Sequence, residues 1–79
     1  MTALHNYPNN IVKRILGHAT GADGIFRLRV RWLGYDAAND TEDPIASLTE
    51  DVTDLVHQYL VQHRDQPDCV RILRAYFPE

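Results

Sequence analysis

Residues 26–35 read FRLRVRWLGY, and from Phe26 to Trp32 apolar and basic side chains alternate without a break. Phe26, Leu28, Val30 and Trp32 share one face, while Arg27, Arg29 and Arg31 share the other. This period of two marks a half-buried strand, because successive side chains of extended backbone point to opposite faces. The strand ends at Leu33-Gly34-Tyr35, so the chain's single tryptophan lies three residues from a tyrosine across a glycine turn.

Upstream, Ile11, Val12, Ile15 and Leu16 surround Lys13 and Arg14. The spacing fits either a helical turn or a short strand; the β-branched content favours a strand ending at Gly17. His18 to Gly24 is small and polar with two glycines, and is expected to be a hairpin loop. Residues 1–10, with Tyr7-Pro8-Asn9-Asn10, make a poor start for any regular element. They are expected to form a flexible arm from which Tyr7 can dock on the domain.

Downstream, residues 35–41 form an acidic loop, and Pro44 restricts the following segment to a short edge strand. Three antiparallel strands are therefore expected at roughly 11–16, 25–32 and 40–46. A helix should follow, with Asp51 as N-cap (Thr49 being the alternative) and Asp54 three positions on. Val52, Leu55, Val56, Tyr59 and Leu60 give it one apolar stripe. Gln66-Pro67 stops it. Asp68 offers a second N-cap for a short helix whose stripe contains Val70, Leu73 and Phe77 with Cys69, Ile72 and Tyr76. The expected class is α+β, a three-stranded antiparallel sheet covered by a C-terminal helix with a second short helix after it. The core unit is placed at 11–64 and the additional helical segment at 65–79.

Seventy-nine residues suit one small domain, which buries only about 60% of its extended-chain surface. One cysteine rules out an intramolecular disulfide and suits a reducing compartment. No stretch has the form of a signal peptide, and no apolar run approaches the roughly 20 residues of a membrane span. The net charge is −3 but unevenly spread. Residues 1–31 hold five Lys and Arg against Asp23 alone, whereas residues 36–54 hold seven acids and no Lys or Arg. A net basic footprint for nucleic acid is missing. The acidic segment suits attraction of a basic partner, or simply solubility.

Catalytic and metal chemistry find little support. His57 and His63 are six apart, and His5 and His18 sit in separate loops, so no metal-ligand spacing arises. Cys69 falls on an apolar helical stripe, a packing position. The carboxylates lie in an open loop with nothing to raise a pKa. No enzyme activity, cofactor or metal is expected.

The ordered set Ile11-Val12-Lys13-Arg14-Ile15-Leu16, Leu28 to Tyr35, Asp40-Thr41-Glu42-Asp43-Pro44 with Leu48, and Asp54 to Leu60 resembles a chromodomain. The family pattern has an aromatic–V-x-K-I-L entry strand, L-V-K-W-x-G-[YF], N-T-W-E-P-x-x-x-L and a closing helix. Trp32-Leu33-Gly34-Tyr35-Asp36 is also similar to chromodomains at the C-terminus of gypsy-type retrotransposon integrases. The resemblance implies a nuclear, chromatin-associated module whose partner is a methylated-lysine histone tail. That tail would be held as an added strand with its methylammonium in an aromatic cage.

Trp32 and Tyr35 match two cage positions, although Trp32 at a strand end also suits a core aromatic. The third position is Asn10, which has no ring, and Tyr7 is the nearby substitute. Asn39 falls where an acid often borders the cage, with Asp36 and Asp40 as alternatives. Glu42 replaces the tryptophan of the family's T-W-E-P. These departures leave a rival open: a degenerate or chromo-shadow-like domain acting through protein interaction, such as homodimerisation through its C-terminal helices.

Overall fold

In a computed structural model, which describes residues 11–78, the chain has an α+β fold. Strand β1 (Val12–Thr20), β2 (Phe26–Trp32) and β3 (Thr41–Pro44) form an antiparallel sheet in that order. Three helices follow: α1 (Ile45–Asp51), α2 (Thr53–Gln62) and α3 (Pro67–Tyr76). The alternation read in residues 26–32 sets the core. Phe26, Leu28, Val30 and Trp32 are each 2% exposed or less, while the arginines between them point outward. Burying each such side chain contributes roughly 1.5–3 kcal/mol.

β1 runs further than expected. It pairs with β2 from Val12 opposite Trp32 to Thr20 opposite Phe26, with register shifts between Val12 and Arg14 and between Ile15 and Gly17. Gly17 therefore lies at an irregularity within the strand and does not end it. An extra residue absorbed there lets pairing resume through His18, Ala19 and Thr20. The loop shrinks to residues 21–25. Gly24 turns the chain at φ 80°, and the Asp23 carboxylate accepts the Ile25 amide at 3.1 Å.

β3 and the first helix also differ from expectation. Pro44 is the last strand residue and also the cap position before α1, with φ −65° and ψ 147°. Its ring supplies that φ and it has no N–H for the ladder, so the strand ends there. The helix expected from Asp51 is present as α2, and an unexpected helix, α1, precedes it from Ile45. Val52 (φ −132°, ψ 55°) separates them, and Asp51 closes α1 instead of capping α2. The bend brings two apolar sets onto the sheet: Ile45 and Leu48 from α1, and Val56, Tyr59 and Leu60 from α2. Asp68 likewise is not a cap. Gln66 holds that position before Pro67, and Asp68 accepts the Thr20 hydroxyl at 2.7 Å.

α3 joins the same core through Cys69 and Ile72, which are 0% and 5% exposed. The single stripe read along this helix divides in two. Cys69 and Ile72 point into the domain, and Val70, Leu73 and Phe77 are only half-buried on the side toward α2.

Candidate functional site

The end of β2 is a corner held by backbone and side-chain bonds together. Gly34 has φ 87°, a left-handed conformation that a side chain resists, and the Tyr35 amide donates back to the Trp32 carbonyl at 3.1 Å. Leu33 N–H donates to the Ile11 carbonyl at 2.8 Å, tying the corner to the start of β1. Tyr35 is half-buried and packs against the core. Trp32 is 1% exposed.

The orientation of the indole is set by a relay. Trp32 Nε1–H donates to Thr41 Oγ1 at 2.9 Å, and the Thr41 hydroxyl donates to Asp43 Oδ2 at 2.7 Å. One hydroxyl thus fills both roles available to it. Asp43 is 3% exposed and faces the core side of β3, where a carboxylate needs such a donor. Neither Thr41 nor Asp43 was singled out from the sequence as supporting the tryptophan. Their i, i+2 spacing puts both on one strand face, but only the pairing of β3 to β2 brings that face to the indole.

The acidic residues of the loop take separate tasks. Asp36 opens a 3₁₀ turn over Ala37–Asn39, where its Oδ1 accepts the Ala38 amide at 3.2 Å and Asn39 Nδ2 at 3.0 Å. Asp36 and Asn39 are both exposed and belong to this one turn. Asp40 turns the other way. Its side chain is 4% exposed and receives Arg31 Nε at 2.5 Å and Nη2 at 3.0 Å, a bidentate pair, with Arg29 at 3.9 Å. The Arg31 guanidinium holds the Asp40 carboxyl below its ordinary range. Tyr7 and Asn10, the remaining candidate residues, lie outside the described residues.

The arginine face of β2 is matched by acids along its length. Arg27 pairs with Asp23 at 2.9 Å, and Arg29 lies 3.9 Å from Glu42, its opposite number on β3. Glu42 therefore stands on the solvent side as a charge partner, which suits an acid at this position better than a buried ring.

At the other end of β1 lies a cluster with no signal in sequence spacing. His18 Nδ1 is 2.6 Å from the Tyr59 hydroxyl, and His18 Nε2 is 3.6 Å from Cys69 Sγ. The His18 ring stacks on Phe26, and Tyr59 stacks on His63 with ring centroids 4.0 Å apart. A cysteine beside a histidine is the pairing that nucleophilic catalysis uses. Here burial, reinforced by Asp68 and Asp65, pushes the thiol pKa up, opposite to the shift that makes a reactive thiolate. The cluster fastens α3 to β1. Among the described residues no group of three or more His, Cys, Asp or Glu is arranged to hold a metal ion.

No family model matches the chain. A curated relative does: "Chromo domain-containing protein cec-3" of Caenorhabditis elegans is 42% identical over 48 residues. The matched stretch is 61% of this chain and 14% of the length of that protein. Together with a three-stranded antiparallel sheet followed by C-terminal helices, this similarity supports a chromodomain-like region within the chain.

Proposed function

We propose that the chain is a non-catalytic, chromatin-associated binding module that recognises a methylated-lysine histone tail in the nucleus. The tail adds as an extended strand, with Trp32 and Tyr35 as two walls of the methylammonium site. The observation that carries this reading is the corner itself: an indole oriented by Thr41, and a backbone turned at Gly34 so that the Tyr35 amide bonds back to the Trp32 carbonyl. It stands in a chain similar to a chromo domain-containing protein.

A methylated ammonium keeps its charge while losing hydrogen-bond donors. Ring faces therefore suit it, at about 0.5–2 kcal/mol each. Main-chain hydrogen bonds of the added strand supply sequence-independent affinity. Asp36, exposed at the mouth of the loop, is the carboxylate assigned to the ligand's charge, because Asp40 is engaged by Arg31. Asn39 shares the Asp36 turn and borders the same side. Tyr7 and Asn10 are assigned to the third side of the site on the family resemblance alone.

Trp32 is 1% exposed, so the reading requires that binding uncover or replace what covers its ring. The test uses that requirement. Because Trp32 is the only tryptophan, its emission reports the site directly. Trimethylated histone-tail peptides should shift the emission in a saturable way, and unmethylated peptides of the same sequence should not. Equal responses to both forms, or none at millimolar peptide, would remove methyl-lysine recognition.

A further inference from the structure

The groove between α2 and α3 takes no part in the Trp32 corner. It lies with the helix that docks on the Thr20 end of β1, whereas Trp32 pairs with Val12 at the opposite end. Its floor is mostly apolar, formed by Val61 of α2 and by Val70, Leu73 and Phe77, with the His57 ring against Phe77 at 4.8 Å between centroids, and its volume is about 470 Å³. That is room for one or two large side chains, within the range of small ligand clefts. The rim is basic: Arg64 and Arg74 border the groove, and Arg71 joins Arg74 on the adjoining surface.

Charge pairing separates these arginines from those of β2. Arg27, Arg29 and Arg31 each lie within 4 Å of a carboxylate. The side chains of Arg64, Arg71 and Arg74 have no ion pair or hydrogen bond among the described residues. Asp65 is the single acid on that adjoining surface. The first-turn acid of α3, Asp68, is turned to Thr20 on the far side of the helix. A chain of net charge −3 thus concentrates uncompensated positive charge around its apolar groove.

We infer that this groove is a second docking site, for a short acidic peptide segment carrying aliphatic or aromatic anchors. The anchors fill the floor over Val70 and Leu73, and carboxylates meet Arg64 and Arg74. This combination is that of an amphipathic acidic segment laid in a hydrophobic groove. A second copy of the chain fits less well. Two-fold pairing of this face brings two basic rims into one contact, and like charges there select against it. A phosphate backbone would engage the rim but leaves the apolar floor without a use.

The test is a nuclear magnetic resonance titration of the full ¹⁵N-labelled chain. The probe is an acetylated, amidated synthetic peptide with leucines and one phenylalanine among aspartates. Shifts are expected at the amides of Val61, Val70, Leu73 and Phe77. Affinity should fall roughly tenfold in the double variant Arg64→Glu, Arg74→Glu, as two favourable charge contacts become repulsive. Both arginines are exposed, so the variant should keep the wild-type amide spectrum away from the groove.

Three outcomes would overturn the proposal. The first is no shift at millimolar peptide, or shifts centred on the Trp32 corner. The second is equal affinity for the same peptide with asparagine in place of aspartate. The third is a dimeric mass in sedimentation that the double variant reduces to a monomer, which would give the face to a second copy. Because the histone-tail titration reads Trp32 and this one reads α2 and α3, either can fail without the other.

Discussion

Replacing Thr41 with valine tests the relay behind the candidate site. Valine keeps the branched shape of threonine but removes the hydroxyl that accepts from Trp32 Nε1 and donates to Asp43. Two buried polar groups then lose a partner at once: an indole N–H on a residue 1% exposed and a carboxylate on one 3% exposed. Each orphaned buried group costs about 1–3 kcal/mol. Part of that is recovered if Asp43 rotates toward water, so a net loss of roughly 2–4 kcal/mol is expected. For a domain of this size that lowers Tm by on the order of 10–25 °C.

Thr41→Ser supplies the control. It keeps both hydrogen bonds and loses one methyl group, so it should cost no more than about 1 kcal/mol. The assay is urea unfolding followed by Trp32 emission, with circular dichroism as a second probe for two-state behaviour. In the folded valine variant the emission maximum should also move, because the indole N–H has lost its acceptor. Equal stability of the valine and serine variants, or a loss below about 1 kcal/mol for valine, would refute the relay as the support of the indole.

Three further expectations concern other parts of the molecule. Gly34→Ala forces a side chain into φ 87° and should cost about 1–2 kcal/mol, measured by the same unfolding curves. Asp23, which Arg27 holds down to about 2 from 3.8, contributes stability that is present above its unfolded value and lost as pH falls through the folded one. Asp40 behaves in the same sense, so Asp23→Asn or Asp40→Asn should flatten the loss of stability measured below about pH 4. Ile72→Ala should cost about 2–4 kcal/mol in urea unfolding, because α3 is built into the core, and it should speed iodoacetamide labelling of buried Cys69.

The segments legible in the sequence are those whose periodicity has one physical interpretation. FRLRVRW alternates over seven residues, and its burial follows that alternation residue by residue. The α2 stripe was legible for the same reason, since Val56, Tyr59 and Leu60 recur at helical spacing and are buried. Boundaries were less legible because they depend on competition between neighbours. β1 continues past Gly17 because β2 still offers partners, and α1 starts at Ile45 because its apolar residues can reach the sheet. Asp51 and Asp68 have good capping chemistry. Yet Val52 takes the cap position before α2, and Asp68 is engaged by Thr20.

The candidate site divides along the same line. Trp32, Gly34 and Tyr35 are adjacent in sequence, so their shared corner follows from strand geometry and one positive φ. That Asp36 is exposed while the Asp40 side chain is covered depends on Arg31, nine residues before Asp40, turning onto it. The sequence by itself determined the α+β class, the sheet's inner and outer faces and the Trp32–Tyr35 pair, because these depend on local periodicity. Tertiary structure alone decided the Trp32–Thr41–Asp43 relay, the His18–Tyr59–Cys69 fastening and the basic groove between α2 and α3. Each joins residues of different elements, whose meeting depends on how those elements pack.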